Sequence, residues 1–143
     1  MKRSKIVFSV DVDHDGDCVF DIDIIRPDVK SYVYFYGDVG TFADFGKALM
    51  TFPKSATDAV IFEVGQVGHP SSFGYLLVKA YCASPAGHTA LKIVVDNNEE
   101  RAAHHRFEFS IASEAAAINK LGAMLSNWQM KTNPQIVWKA ETR

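Results

Sequence analysis

The sequence has few cysteines: Cys18 and Cys82 are the only two in 143 residues, and both lie in apolar, strand-like runs. Secreted domains that depend on disulfides are short and rich in cysteine, so we expect two reduced thiols in the core. No stretch approaches the ~20 apolar residues of a membrane span. The apolar run after the basic N-terminus is cut by Ser9 and Asp11 and is too short for a signal peptide. These absences predict a cytoplasmic protein without membrane association.

Neither sign of charge dominates the chain. Fifteen Lys and Arg residues stand against 17 Asp and Glu residues, for a net charge of −2 at pH 7, and the basic residues are dispersed along the sequence. A nucleic-acid partner is therefore not expected, because its binding needs clustered positive charge. The hydrophobic fraction of 48% is typical of a globular protein, and the length fits a single domain over residues 1–143.

Familiar catalytic motifs are also missing. The sequence contains no Gly-x-Ser-x-Gly elbow, Walker loop or dinucleotide fingerprint, and no local zinc-binding pattern of His or Cys. Three of the five histidines lie in predicted turns, and the other two are expected on opposite faces of one strand: His14, His69, His88, His104 and His105. We therefore expect a protein that is not an enzyme and has no cofactor. A hydrolase with a scattered His/Asp site is the least favoured alternative.

Two segments near the N-terminus alternate between apolar and polar residues. Residues 5–13 and 17–25 have this period of two, which is typical of strands half buried on a sheet. A three-residue loop over 14–16 would pair Val12 with Cys18 and keep every apolar side chain on one face, so we predict that register. Gly16 would then adopt a positive φ.

The rest of the chain adds more strands and two helices. We predict strands at 31–36, 58–64, 75–83, 89–96 and 104–111, and helices at about 42–52 and 114–128. Residues 136–138 are predicted to form either a short edge strand or a docked tail. The order βββ-α-ββββ-α predicts an α+β fold, a meandering antiparallel sheet of about seven strands with both helices packed on one face. No internal repeat is evident.

Six aspartates without a Lys or Arg among them mark the first hairpin, which we call the acidic hairpin: Asp11, Asp13, Asp15, Asp17, Asp21 and Asp23. The order Asp11-x-Asp13-x-Asp15-Gly matches the first half of an EF-hand loop, but Ile22 stands where the bidentate Glu is required. This is not an EF-hand. Calcium or another ligand bound by Asp11, Asp13, Asp15 and Asp17 is one hypothesis. The other is a solvated hairpin whose charges protect a sheet edge.

A tyrosine stripe is predicted on one face of the third strand, formed by Tyr32, Tyr34 and Tyr36. The polar face of the acidic hairpin presents Asp11, Asp21 and Asp23. Tyrosine mixed with charge is typical of protein interfaces, so these six residues are candidates for binding a partner, which by complementarity would be basic. The alternative is that the stripe packs under a helix.

The chain resembles a group of small bacterial proteins that includes immunity proteins of polymorphic toxin systems. The matching residues are Phe42-x-x-Phe45-x-x-x-Leu49-x-x-Phe52 and Phe107-x-Phe109-x-Ile111 leading into Ser113-Glu114 and the following helix. The resemblance covers about residues 31–128 and implies a non-enzymatic protein that binds a partner, such as a toxin. The acidic hairpin lies outside the matched part, so the resemblance implies nothing about it.

Overall fold

The computed structural model describes residues 3–68 and 73–142, and within them the fold is α+β. The elements are β1 (Lys5–Val12), β2 (Asp17–Arg26), β3 (Val29–Asp38), α1 (Ala43–Leu49), β4 (Ala59–Val64), β5 (Tyr75–Cys82), β6 (Thr89–Asp96), β7 (Arg106–Ser113), α2 (Ala115–Ser126) and β8 (Gln135–Lys139), with a 3-10 turn at Arg101–Ala103. No helix in these residues is long and apolar enough to cross a bilayer.

The strands form two antiparallel sheets of four. The N-terminal sheet has the order β3-β2-β1-β8, and the central sheet has the order β4-β5-β6-β7. The prediction of one meandering sheet of about seven strands is therefore not confirmed. The reason is the long connection through α1: β3 and β4 are not joined by a tight turn, so each ends as an edge strand of its own sheet. The C-terminal segment forms an edge strand, β8, which pairs with β1.

The predicted register of the first hairpin is confirmed. Val12 pairs with Cys18, Val10 with Phe20 and Phe8 with Ile22, and Gly16 has a φ of +88°. One alternate apolar set of each strand is buried in the core, whereas Val19 and Ile25 lie on the opposite face. Both cysteines are free, with Cys18 buried and Cys82 half-buried. Burial, followed by the nearby Asp38, raises the pKa of the Cys18 thiol, which keeps it protonated.

Strand order and register reveal an internal repeat that was not evident from the sequence. The first unit is β8-β1-β2-β3 followed by α1, and the second is β4-β5-β6-β7 followed by α2. At one constant separation along the chain, Val33, Phe35, Phe42, Phe45, Gly46 and Leu49 correspond to Phe109, Ile111, Ile118, Leu121, Gly122 and Leu125. The pairs share hydrophobicity more than identity, and β8 supplies the first strand of the first unit from the end of the chain. The low identity and the displaced first strand explain why the repeat is not evident in the sequence.

The two equivalent glycines lie where α1 and α2 pack together. A Cβ atom on Gly122 would lie 2.6 Å from the Gly46 carbonyl oxygen and 2.8 Å from the Met50 nitrogen. A Cβ atom on Gly46 would lie 2.9 Å from the Gly122 carbonyl oxygen. The contacts are thus backbone against backbone in both directions, and only glycine permits this approach. The lack of a side chain at Gly46 and Gly122 therefore allows α1 and α2 to approach this closely.

We predict that Gly122→Ala lowers the free energy of unfolding by about 1–3 kcal/mol, because overpacking against rigid backbone outweighs the ~1 kcal/mol by which alanine favours a helix. Urea denaturation measures the change. Lys120→Ala, on the exposed face of the same helix, is the control and should stay within ~0.5 kcal/mol of the wild type. A more stable Gly122→Ala protein would contradict the steric argument.

Candidate functional site

The tyrosine stripe lies on the face of the N-terminal sheet that points away from the core, which we call the outer face. Tyr32, Tyr34 and Tyr36 are 45%, 41% and 53% exposed, while Val33 and Phe35 between them are buried. Period two along β3 explains both sets, since alternate side chains point to opposite faces. The structure thus places the stripe in solvent and not under a helix.

A fourth aromatic side chain, Phe73, extends the stripe. Its ring lies 4.5 Å from the Tyr36 ring and 6.1 Å from the Tyr34 ring, measured between centroids, and it is 47% exposed. We call Tyr32, Tyr34, Tyr36 and Phe73 the aromatic patch. The next residue, Gly74, packs directly on Val33, where a Cβ atom would lie 2.3 Å from its Cγ2. Sequence reasoning missed Phe73, because it lies in a loop and carries no periodic signal.

Asn98 holds the loop segment that carries Phe73. Its side-chain nitrogen donates to the carbonyl oxygens of Gln66 and Phe73, at 2.8 and 2.9 Å, and its side-chain oxygen accepts from the Gly68 N–H at 3.0 Å. Asn98 has a φ of +54°, in the left-handed region that non-glycine residues seldom adopt. One side chain therefore connects the β6–β7 loop to the position of the aromatic patch.

Asp96, at the end of β6, in turn supports Asn98. Asp96 is 3% exposed, and its carboxylate accepts from the Asn98 N–H at 2.8 Å, from His104 Nε2 at 2.9 Å and from Arg106 at 3.5 Å. Burial acts to raise the pKa of Asp96, but the hydrogen bonds from Asn98 and His104 outweigh it and hold the pKa below its usual value. The carboxylate is thus charged and well satisfied.

His104 and Asp96 border a hollow of about 590 Å³, which bears on the hydrolase hypothesis. Within the described part of the chain, no hydroxyl or thiol hydrogen bonds to His104. The ring nitrogen that contacts Asp96 shares that carboxylate with a backbone N–H and Arg106. This arrangement organises a loop, and no nucleophile accompanies it in the residues described.

The other three histidines in the described residues have different hydrogen-bond or ion-pair partners. His14 is exposed beside Asp15, His88 Nδ1 lies 2.8 Å from Ser84 Oγ, and His105 Nδ1 lies 3.1 Å from the Asn97 side-chain nitrogen. His69 lies outside the described residues.

The predicted aspartates are brought next to the tyrosines by the strand register. Asp21 pairs with Tyr34 and Asp23 with Tyr32, and Val19 lies between Asp11 and Tyr36. The Tyr32 hydroxyl donates to Asp21. Partial burial, together with that carboxylate, raises the pKa of Tyr32 to about 12, so its hydroxyl stays a donor at neutral pH. All six residues predicted to bind a partner therefore share one surface.

The acidic hairpin has a structural use for one of its carboxylates. Asp13 accepts hydrogen bonds from the N–H groups of Asp15 and Asp17, at 2.8 and 3.0 Å, and so closes the turn. Asp11, Asp13 and Asp17 line a hollow of about 410 Å³ beside Tyr36. Over residues 3–68 and 73–142, no three His, Cys, Asp or Glu side chains are arranged to hold a metal ion. The calcium hypothesis on Asp11, Asp13, Asp15 and Asp17 stays a prediction.

Comparison with known proteins identifies no relative: no family model, curated protein or solved structure matches the chain.

We predict that Asp96→Asn lowers the free energy of unfolding by about 1–3 kcal/mol at pH 7, because Asn98, His104 and Arg106 lose a charged, buried acceptor. A carboxylate whose pKa is lowered by folding stabilises the protein at pH values above its unfolded pKa of about 3.9. That contribution is lost as the pH falls through the folded pKa. The difference between wild type and variant, measured by urea denaturation, should therefore narrow as the pH is lowered from 7 towards 3.

The matched control is Asp11→Asn, which removes the charge of an exposed aspartate on β1. Its free energy of unfolding should stay within ~0.5 kcal/mol of the wild type at both pH values. A loss in Asp96→Asn that is the same at pH 7 and at acidic pH would show that the charge of Asp96 does not stabilise the fold.

Proposed function

We propose that the chain is a non-enzymatic protein that binds a basic protein partner through the aromatic patch and the adjoining Asp11, Asp21 and Asp23. The observation that carries this proposal is the concentration of exposed aromatic side chains in one place. Among the large hydrophobic residues described as exposed, the aromatic ones are Tyr32, Tyr34, Tyr36 and Phe73, and all four belong to the patch. We assign this function to a single domain over residues 1–143 in the cytoplasm.

The aromatic patch has the physical properties of an interface centre. Tyrosine rings offer large contact area at a low cost in side-chain entropy, and they dominate many measured interfaces. Tyr36 contacts Tyr34 and Phe73 edge to face, and the Tyr34 and Phe73 rings are tilted against each other, so little ordering remains for a partner to impose. Such preorganisation favours tight binding by a modest area.

The carboxylates beside the patch select the charge of the partner. Asp21 and Asp23 are cross-strand neighbours of Tyr34 and Tyr32, and Asp11 lies one strand further in. Positive groups on the partner would find these carboxylates at the border of the aromatic contact. Charge complementarity of this kind speeds association and excludes wrong partners more than it adds affinity.

The resemblance to immunity proteins suggests that this partner is a toxin. A protein that neutralises a toxin needs a preformed binding surface and no catalytic machinery, which agrees with an aromatic patch on a rigid sheet. Calcium binding has no comparable support, because the aspartates of the acidic hairpin do not converge in the described residues.

The test is to co-express the chain with the product of the neighbouring gene and to measure the dissociation constant. Tyr34→Ala/Tyr36→Ala should weaken binding by at least about 30-fold, since central aromatic residues typically contribute ~2 kcal/mol or more. Ile61→Ala is the matched control, because Ile61 is 56% exposed but lies on the central sheet. Its dissociation constant should equal that of the wild type.

Two results would contradict the proposal. One is a neighbouring toxin that does not co-purify with the chain. The other is a folded Tyr34→Ala/Tyr36→Ala protein with unchanged affinity. Asp21→Asn/Asp23→Asn should mainly slow association and reduce its dependence on salt, which separates the role of charge from that of the rings.

A further inference from the structure

The outer face of the N-terminal sheet has a second distinctive region, at the end opposite the acidic hairpin. Lys139, Lys5, Ile25 and Lys30 are successive cross-strand neighbours in one row across the four strands. This row borders a hollow of about 820 Å³, which we call the basic hollow. Its lining includes four basic residues and one apolar residue: Arg3, Lys5, Lys30, Lys139 and Ile25.

Four of these positive charges lack an acidic partner among the described residues. The ion pairs found there involve other groups, and none includes Arg3, Lys5, Lys30 or Lys139. Asp28 is the one carboxylate among the described residues that lines the hollow, and it accepts two hydrogen bonds from Arg26 at 2.7 and 2.9 Å. That pair is self-compensating, so the basic hollow keeps the full charge of four cations.

The arrangement of the lysines is unfavourable without an anion. Lys5 and Lys139 are directly opposite on antiparallel strands, where like charges destabilise a sheet. Adjacent strands lie about 4.8 Å apart, so Lys30, two strands from Lys5, starts about 10 Å away. The flexible stems let all three ammonium groups reach a common point above Ile25. An anion at that point would replace repulsion by attraction.

We propose that the basic hollow binds a soluble, phosphate-bearing small molecule. Its phosphate groups lie among Arg3, Lys5, Lys30 and Lys139, and its less polar part rests on Ile25. Lysine binds phosphate as a point charge, and a phosphate carries close to two negative charges at pH 7. The volume falls within the ~300–1,000 Å³ typical of small-molecule sites.

The surroundings of the basic hollow favour a small ligand over a polymer. Beyond the lysine row the outer face continues with Asp23, Asp21 and then Asp11. An extended polyanion lying along the sheet would meet these carboxylates, whereas a compact phosphate compound stays within the basic end. This site is separate from the aromatic patch, and it does not depend on the function proposed above.

Titration with inorganic pyrophosphate, at constant ionic strength, tests the site. Binding should be saturable and should shift the amide resonances of residues 3–5, 25–30 and 139. It should also raise the melting temperature, because a ligand that binds only the folded state stabilises it. Lys5→Gln/Lys139→Gln should weaken binding at least tenfold. This variant should fold at least as stably as the wild type, since it removes a like-charge pair.

The chain offers a matched control. Lys79 and Lys92 are also direct cross-strand neighbours, on β5 and β6 of the central sheet. Lys79→Gln/Lys92→Gln removes the same net charge from the same kind of pair, and it should bind pyrophosphate like the wild type. Equal losses in both double variants would mean that net charge alone attracts the anion, and would overturn the site.

A second experiment distinguishes a soluble phosphate compound from the phosphate groups of a membrane surface. Vesicles of phosphatidylcholine with phosphatidylglycerol present phosphate groups as anionic lipid headgroups. Vesicles of phosphatidylcholine alone are the control without net charge. Saturable binding of pyrophosphate without sedimentation on either vesicle supports a soluble ligand. Sedimentation on the anionic vesicles, with no saturable pyrophosphate binding, would overturn the proposal in favour of a membrane surface.

Discussion

The packing of the Phe42 ring is the interaction on which the rest of the fold depends. It meets Phe8, Phe20 and Phe35 of the N-terminal sheet at centroid distances of 5.6, 5.1 and 6.1 Å, and it stacks on Phe62 of the central sheet at 4.7 Å. Over residues 3–68 and 73–142 no strand of one sheet pairs with a strand of the other, so side-chain contacts join the two sheets. Edge-to-face and stacked rings supply both buried area and preferred geometry at that junction. Because Phe42 directly precedes α1, the same contact places the helix.

This packing decides which surfaces remain for function. Every strand of the N-terminal sheet turns its apolar alternate residues towards the Phe42 cluster, and the other alternate set is left on the outer face. That set is ordered by charge, from the lysine row through the aromatic patch to the acidic hairpin. For the strand residues this order results from the register, which brings together both ends of the chain. Phe73 is added to the patch from a loop.

Local patterns predicted much of this fold, and long-range pairing explains most of what they missed. Alternation over residues 5–13 and 17–25 was sufficient for two strands and their exact register, because a one-residue slip would expose the apolar set. The single sheet of about seven strands is not confirmed, because β3 and β4 do not pair in the described residues and no local pattern contains that information. β8 pairs with β1 from the far end of the sequence. The lysine row was missed for the same reason: Lys5, Lys30 and Lys139 look dispersed until the strands pair.

In the candidate site, too, local patterns predicted some features and long-range contacts determine the others. The stripe Tyr32, Tyr34, Tyr36 was predicted by period two, but its exposure depends on which face the core occupies, and no local pattern contains that information. Sequence reasoning drew attention to the density of aspartates in the acidic hairpin. The carboxylate with the greatest structural consequence is instead the isolated Asp96, whose importance comes from burial and from three donors that converge on it only in the folded chain.

The opposite charges on one face also determine how far the two ends influence each other. Lys5 and Asp11 lie six residues apart on β1, which corresponds to about 20 Å along the strand. The Debye length in physiological salt is about 8 Å, so an anion in the basic hollow changes the potential at Asp11 very little. Asp23, next to the lysine row, lies within that length and is the carboxylate that an anion would affect most. Electrostatic coupling between the two proposed sites is thus confined to the Asp23–Tyr32 row, and the rest of the aromatic patch acts independently of the lysines.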